Sequence, residues 1–284
     1  MSELARKISK RIESEGPILF SQFMEMALYD TEHGYYYHGD PFGKAGDFYT
    51  ASQLQPVFGA YLKTLADQVL PGYERFVDVG AGRQDLRESF ADGVYEAVQH
   101  GENLVKTNRT ILFSNELFDA LPVDLECEGQ LLRVAMEEDQ FVWQPHGPCE
   151  GVKELRAGVK AQLERAWTSI EAGSYIIIDY GYRRKEAIRF PLGSLMSYRR
   201  HLASEEVLSE PGLKDITAHV DWDALIDEAQ EIGWKVRSLE SLRASMLGLG
   251  EAALEGLNSL NDMQFKTLFF SLGESFEVLI LDKN

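Results

Sequence analysis

The chain has 284 residues, of which 44% are hydrophobic and 26% are charged, a composition typical of folded globular proteins and not of disordered ones. Its formal net charge of −18 disfavours binding to phosphate backbones and to anionic membrane surfaces, so we expect neither a nucleic-acid partner nor a membrane partner. No apolar run approaches the ~20 residues that a membrane span needs, and the polar N-terminal segment lacks the apolar centre of a secretion signal, which together predict a cytoplasmic protein.

The first part of the chain is predicted to be helical. Helices are expected over residues 2–15, 21–29 and 55–70. In the first of them, Leu4, Ile8 and Ile12 recur at helical spacing, and Gly16 with Pro17 ends the helix. The stretch between the second and third helices is rich in glycine, aromatic and small polar residues, and it predicts irregular structure.

From Arg75 onward the pattern alternates between strands and helices. The segment RFVDVGAG predicts a buried strand that runs into a glycine turn, RQDLRESFADG predicts a helix, and VYEAVQ predicts a second strand. This βαβ unit implies a parallel sheet that is covered on both faces. Further strands are predicted in TILF, SYIIIDYG, WKVRSLES and FEVLILDK, with helices over residues 151–172 and in DWDALIDEAQEIG. The last two strands lack a clear crossover helix between them, which suggests an antiparallel last strand.

The glycine turn is the first candidate ligand site. Gly80 and Gly82 stand where a strand turns toward a helix, so the backbone can pass close to a ligand. A dinucleotide-binding enzyme would usually continue as G-x-G-x-x-G, but Arg83, Gln84 and Asp85 follow here and break that pattern. Asp78, in the strand just before the turn, suits a ligand that carries an amine or a sulfonium. A purely structural glycine turn is the alternative.

Gln99 occupies the position, nineteen residues after Gly80, at which related folds hold the two ribose hydroxyls of a ligand. That role normally belongs to Asp or Glu, whose carboxylate accepts two hydrogen bonds, whereas Gln offers a single acceptor oxygen. Glu96 and His100 are neighbours that either compensate or are simply exposed.

The segment SNELFDALPVD follows the strand TILF directly. Ser114, Asn115 and Glu116 therefore stand at the carboxyl end of a central strand, the edge at which open α/β sheets bind ligands. If a helix begins there, Asp119 lies one turn from Glu116 and both carboxylates share a face, with Pro122 ending the helix. The alternative is that Ser114 or Asn115 serves only as a helix cap.

Two cysteines, Cys127 and Cys149, are present, and no Cys-x-x-Cys spacing occurs. We therefore predict free thiols, with neither a disulfide framework nor a metal site.

Several segments together identify a family. They are LYDTEHGYYY, PFGKAGDFYTAS, FVDVGAG, SNELFDALPVD, IIIDYGY, DITAHVDW and FFSLGESFEVLI. In combination, from about Gly16 to Lys283, they resemble the MidA-like S-adenosylmethionine-dependent methyltransferases, a family that includes the mitochondrial respiratory complex I assembly factor. The resemblance implies a class I methyltransferase fold: a Rossmann-like α/β fold with a mostly parallel seven-stranded sheet, an antiparallel last strand and an N-terminal helical extension. It also implies S-adenosylmethionine as cofactor and, from the eukaryotic branch, a protein arginine as acceptor.

The resemblance also assigns site residues. Gly80 and Gly82 match the cofactor turn, and Asn115 with Glu116 matches the motif after the strand. Residues 46–50 match the family's GDF-x-T segment, which resembles a flap over the cofactor. With Asp78, the predicted cofactor-binding residues are Asp47, Phe48, Thr50, Asp78, Gly80, Gly82, Gln99 and Asn115. Two departures point toward weakened cofactor binding: Gln84 replaces a third glycine, and the segment between Gln99 and Ile111 is too short for the helix and strand that the family has there.

Methyl transfer from a sulfonium requires alignment of the acceptor and removal of water. A guanidinium acceptor has a pKa above ~12, so carboxylates must localise its charge, and Glu116 and Asp119 are the candidates. His219, in DITAHVDW, is predicted to accept a proton or to contact the substrate. The alternative for this segment is structural, with Asp221 capping a helix beside a half-buried histidine.

We expect a helical region with the flap over residues 1–72 and a Rossmann-like core over residues 73–284, in which residues 182–220 form a substrate-side insertion. The leading hypothesis is a methyltransferase that acts on a protein substrate. A catalytically degenerate family member that works as a binding or assembly module is the alternative. A nicotinamide-dependent dehydrogenase is disfavoured, because the third glycine of its fingerprint is missing.

Overall fold

The computed structural model describes residues 1–37, 54–82, 84–104, 106–200, 202–254 and 257–284. The α-helices of these residues are α1 (Glu3–Glu15), α2 (Phe20–Tyr29), α3 (Val57–Val69), α4 (Ala157–Ser169), α5 (Trp222–Ile232), α6 (Leu242–Gly248), α7 (Asp262–Lys266) and α8 (Gly273–Ser275). The strands are β1 (Ile18–Leu19), β2 (Arg75–Val79), β3 (Tyr95–Val98), β4 (Thr110–Asn115), β5 (Asp124–Cys127), β6 (Gln130–Leu131), β7 (Arg133–Glu137), β8 (Gln140–Gln144), β9 (Lys153–Leu155), β10 (Gly173–Tyr182), β11 (Leu195–Arg199), β12 (Leu202–Ser204), β13 (Asp215–Ala218), β14 (Val220–Asp221), β15 (Lys235–Ser241) and β16 (Phe276–Lys283). None of the helices in the described residues has the length and apolar character needed to cross a membrane.

The chain divides into two compact units. The first unit consists of residues 1–49, 119–159 and 183–219, and the second of residues 50–118, 160–182 and 220–284. This division differs from the predicted boundary at residue 72. The third helix, α3, belongs to the second unit, while the N-terminal helices share the first unit with the 183–219 segment, close to the predicted 182–220 insertion.

The first unit contains the predicted N-terminal helices. The hydroxyl of Ser2 accepts a hydrogen bond from the Ala5 N–H at 3.1 Å, which caps the start of α1, and Gly16, with φ of +81°, ends it. The apolar face of α1 is buried against α2, and both predicted helices are confirmed. Their shared core contains Leu4, Ile8, Ile12, Phe20, Phe23 and Met24.

Three small antiparallel sheets complete the first unit, in the orders β1-β7-β8, β12-β11-β13 and β6-β5-β9. The predicted helix over residues 151–172 is shorter than expected, because residues 153–155 pair with β5 as the strand β9. The prediction of free thiols is wrong: Cys127 and Cys149 form a disulfide with their Cα atoms 5.9 Å apart. The loop before β9 folds back onto β5, and sequence spacing gives no sign of that return.

The second unit is built on one mixed sheet in the order β15-β16-β10-β4-β2-β3, with the short β14 added to β10. β10, β4, β2 and β3 run parallel, and β16 is antiparallel to both of its neighbours. The central strands are apolar on both faces, as Ile176, Ile177 and Ile178 of β10 show with no exposed surface. The predicted mostly parallel sheet with an antiparallel last strand is therefore confirmed.

One predicted helix is absent. Residues 84–93 contain only a 3-10 helix over Arg87–Ser89 in place of the helix expected in RQDLRESFADG. Phe90 stacks on Phe76 of β2 with ring centroids 4.1 Å apart, and this contact draws the chain onto the sheet after one turn. β3 then lies at the edge of the sheet, and no strand in the described residues pairs with its outer side.

Candidate functional site

The glycine turn and the Asn-Glu pair lie side by side at the carboxyl rim of the second unit's sheet. Asp78 of β2 is opposite Phe113 of β4, so the residues that follow these two strands leave the sheet at the same level. A Cβ atom added to Gly80 would lie 3.0 Å from Leu117 Cδ1, which places the two segments in contact. The rim therefore brings together two motifs that are more than thirty residues apart in the sequence.

Gly80 is constrained by its backbone and by its neighbour. Its φ of +77° lies in the left-handed region, and its N–H donates to the Val98 carbonyl at 2.7 Å. A side chain there would be strained and would press on Leu117, so the position favours glycine. Gly82, with φ of +49°, continues the turn. Gly82 is exposed and Gly80 is half-buried, and neither has a side chain of its own to keep a ligand from the backbone.

Asp78 is a buried carboxyl group just before the turn. The Tyr95 hydroxyl donates to Asp78 Oδ2 at 2.6 Å. Burial raises the pKa of Asp78 to about 7, against the lowering effect of the Tyr95 hydrogen bond, and Asp85 adds to the increase. A cationic ligand group near the turn would favour the charged carboxylate and would offset this cost of burial.

Glu116 is held in an unusual conformation. Its φ is +53°, its N–H donates to the Ile178 carbonyl of β10 at 3.0 Å, and its Oε1 accepts from Asn115 Nδ2 at 2.8 Å. A left-handed glutamate costs energy and is often found at functional sites. The conditional prediction of a helix starting here is wrong, because the chain turns at Glu116, and the Phe118 N–H donates to Asp179 Oδ2 at 2.9 Å.

Asp179 was missed in the sequence analysis. It has no exposed surface, and its carboxylate accepts the N–H groups of Phe118 and Tyr180, both at 2.9 Å. It thereby fixes the chain after Glu116 against the end of β10. The sequence feature that could have indicated this role is the single carboxylate of Asp179 at the end of the apolar run in SYIIIDYG.

Neither Ser114 nor Asn115 caps a helix. Ser114 is completely buried within β4 and does not reach the rim, contrary to the prediction. Asn115 is partly exposed, but its Oδ1 is shielded from solvent and has no hydrogen-bond partner among the residues that the structure describes. A shielded acceptor of this kind is costly unless a ligand donates to it.

The rim residues fit the cofactor that the sequence resemblance implies. S-adenosylmethionine carries an ammonium and a sulfonium, and the rim offers the acceptor oxygen of Asn115, the carboxyl group of Asp78 and the backbone of Gly80 and Gly82. These groups match the cationic part of the cofactor in charge and in hydrogen-bonding capacity.

The remaining predicted cofactor residues are less clearly placed. Gln99 follows β3, and its Nε2 donates to the Gly82 carbonyl at 3.4 Å, so it joins the glycine turn. Asp47, Phe48 and Thr50 lie outside the described residues, and their predicted flap role stays a prediction.

Asp119 does not share a helical face with Glu116, contrary to the prediction from the sequence. It belongs to the first unit and is only 4% exposed, and its carbonyl accepts from the Ala218 N–H at 2.8 Å. Burial, followed by the charges of Asp215 and Asp119, holds the pKa of Tyr29 well above its usual range. Asp119 is thus part of a buried tyrosine–carboxylate group.

His219 also belongs to the first unit. Its Nδ1 lies 3.4 Å from the Ser194 carbonyl, and its ring centroid is 4.9 Å from that of Phe190. Burial lowers the pKa of His219, although the Ser194 carbonyl and Glu154 act to raise it. The ring is therefore neutral at pH 7 and has a nitrogen that can accept a proton. Asp221 caps α5 through the Ala224 N–H at 3.1 Å, as the structural alternative predicts.

A buried ion pair fixes the backbone at His219. Arg156 and Glu154 pair with side chains that are 8% and 5% exposed, and Arg156 donates to the carbonyls of Ala218 and His219. Ser194 donates to Glu154 through both its N–H and its hydroxyl, at 2.6 and 2.9 Å. No motif in the sequence pointed to this network.

Comparisons with known proteins give the family. Residues 144–239 match a family model described as "Putative S-adenosyl-L-methionine-dependent methyltransferase". The chain is 34% identical over 297 aligned residues to protein arginine methyltransferase NDUFAF7, mitochondrial, of Xenopus laevis, a match that covers 75% of this chain and 66% of that protein. The Mus musculus protein of the same name is 30% identical over 92 residues, which are 30% of this chain and 21% of that protein. The chain thus spans less than two thirds of the length of these relatives.

A solved structure shows the same fold. It is a crystal structure from Burkholderia thailandensis bound to S-adenosyl-homocysteine, which superimposes with a TM-score of 0.82 at 24% identity and covers 99% of this chain and 92% of that one. The sequence matches indicate the same family as the motifs at the rim, and the structural match shows the same fold. The chain belongs to the MidA-like family of S-adenosylmethionine-dependent methyltransferases.

Proposed function

We propose that the chain transfers a methyl group from S-adenosylmethionine to a protein side chain of the arginine type. The observation that carries the proposal is the shared rim of the second unit, where the glycine turn lies beside Asn115 and Glu116. Family membership and the name of the relatives, protein arginine methyltransferase, support it. The cofactor supplies an electrophilic methyl group on a sulfonium when it is bound.

The chain's own residues would bind and orient the reactants. The backbone at Gly80 and Gly82 leaves room for close approach, Asn115 Oδ1 accepts a hydrogen bond, and the Asp78 carboxylate attracts positive charge. Glu116 binds the acceptor guanidinium, because a carboxylate localises its positive charge on the nitrogens that it contacts and leaves the remaining nitrogen to react. The hydrogen bond from Asn115 fixes the direction of that carboxylate.

Asp119 and His219 stay proposed members of the acceptor site. Both belong to the first unit. The sequence predicts that Asp119 is a second carboxylate for the guanidinium and that His219 accepts a proton or contacts the substrate. The neutral ring of His219 suits the removal of a proton from the methylated nitrogen. If a Glu116→Gln, Asp119→Asn double variant methylates its acceptor as fast as wild type, the two carboxylates do not have the proposed role.

Radiolabelled methyl transfer into the proteins of a cell extract tests the activity. Wild type is expected to label arginine residues, and Glu116→Gln to lower the rate by about 100-fold or more, since the guanidinium loses its charged acceptor. Glu128→Gln is a matched control, because Glu128 is also a glutamate with positive φ, +51°, and it is exposed in a turn of the first unit. Equal rates for Glu116→Gln and wild type would contradict the role of Glu116.

A catalytically degenerate binding module is the second candidate. The observation that favours it is the glycine turn itself, where Gln84 has φ of +59° and only a short 3-10 helix follows, so no long helix aims its N-terminus at the ligand. Calorimetry with S-adenosylmethionine and S-adenosylhomocysteine separates the two candidates, because a degenerate module without the cofactor site gives no heat of binding.

The cytoplasmic location stays a prediction from the polar N-terminal segment. The relatives from Mus musculus and Xenopus laevis are named as mitochondrial proteins. Microscopy of the tagged full-length protein in its own cells tests the location directly.

A further inference from the structure

Gln99 stands at the position where related folds hold the ribose hydroxyls of a ligand, which we call the ribose position, and its side chain is not a carboxylate. A ribose diol presents two hydroxyl donors, which the two oxygens of a carboxylate accept side by side, whereas an amide has a single, uncharged acceptor oxygen. The amide nitrogen of Gln99 is also turned toward the Gly82 carbonyl, at 3.4 Å. Gln99 therefore offers the diol one acceptor oxygen where a carboxylate would offer two.

The two neighbours suggested by the sequence do not supply the missing acceptor. Glu96 lies within β3 and pairs with Arg75 at 2.7 Å. Burial lowers the pKa of His100, so its imidazole is neutral at pH 7 and offers a single acceptor nitrogen.

Glu102 brings a carboxylate to the same place. A turn after β3 is closed by the Glu102 N–H, which donates to the Gln99 carbonyl at 3.2 Å, and Gly101 adopts φ of +81° within it. The turn folds the Glu102 side chain back, and its Oε2 accepts the Gln99 N–H at 2.8 Å. The carboxylate is thus anchored on the backbone of the ribose position, and the residue is otherwise exposed.

We propose that Glu102 supplies the carboxylate that accepts the ribose hydroxyls of the adenosyl ligand, in place of the acid that the family has at position 99. The inference rests on the proposed function, since it names the residue that binds one part of the proposed cofactor. It gives the short 99–110 segment a role, because the turn within it carries the acid that β3 does not provide.

The test is calorimetric titration with S-adenosylhomocysteine and with its 2′-deoxyribose analogue. Glu102→Gln is expected to weaken binding of S-adenosylhomocysteine by about 10- to 100-fold, the usual effect of losing a hydrogen bond to a charged group. The analogue lacks one of the donors, so the same substitution should weaken its binding much less. Glu88→Gln, at an exposed glutamate of the same unit, should leave both affinities unchanged.

Two results would overturn the inference and leave the proposed function standing. One is unchanged affinity of Glu102→Gln for S-adenosylhomocysteine, and the other is an equal loss for both ligands, which would indicate that Glu102 only closes the turn. Absence of binding by the wild-type chain would overturn the proposed function, and the inference with it.

Discussion

Asp78 determines how stability should depend on pH. Its pKa of about 7 in the folded chain lies above the ordinary value of 3.8, so the folded state binds the extra proton between these values and loses stability as pH rises through about 7. Asp78→Asn cannot ionise and should therefore be stabilised relative to wild type by an amount that grows from about pH 4 to pH 7. Thermal unfolding of both proteins at about pH 5 and pH 8 measures this difference. A difference that does not change with pH would contradict the assignment.

Adding a single Cβ atom at Gly80 tests whether the ligand passes close to the backbone of the glycine turn. Gly80→Ala should cost about 1–2 kcal/mol of stability for the left-handed backbone, and should also weaken S-adenosylhomocysteine binding through the contact with Leu117. Gly93→Ala is the matched control, because its φ of +80° is nearly the same and its added Cβ would meet no atom of the described part of the chain within 4 Å. Chemical denaturation and calorimetry on both variants separate the two effects. Equal affinity of both variants for the ligand would contradict the role of the turn.

At the scale of elements, one buried ion pair joins β9, the start of β11 and the end of β13. Arg156→Met leaves Glu154 buried without its partner, so we expect a loss of about 3–5 kcal/mol. Adding Glu154→Gln should recover part of that loss. Lys106→Met is the control, since the Lys106–Glu171 pair is 68% and 59% exposed and should change stability little. Urea unfolding of the wild type and the three variants is the measurement, and an Arg156→Met variant as stable as wild type would show that the network is unimportant.

The sequence predicted the strands better than the segments that join them. Runs such as the isoleucines of β10 are apolar on both faces and have few alternatives to a central strand. The helix predicted after the glycine turn does not form, because the stacking of Phe90 on Phe76 overrides the local helical spacing. The turn at Glu116 depends on hydrogen bonds to β10, which is far away in the sequence. The motif residues were therefore identifiable, but their conformations were not.

At the scale of the whole molecule, the chain divides between a first unit of helices and small antiparallel sheets and a second unit built on the mixed sheet. The predicted cofactor residues that the structure describes, from Asp78 to Asn115, all belong to the second unit, whereas Asp119 and His219 belong to the first. Substitutions of Asp119 or His219 should change methylation of the acceptor with little effect on cofactor affinity.

A crystal structure of the chain with S-adenosylhomocysteine tests the central claim most directly. We expect the ligand at the carboxyl rim of the second unit's sheet, against the backbone of Gly80 and Gly82 and within hydrogen-bonding distance of Asn115 Oδ1. Ligand bound at any other place, or no ligand at saturating concentration, would contradict the methyltransferase assignment.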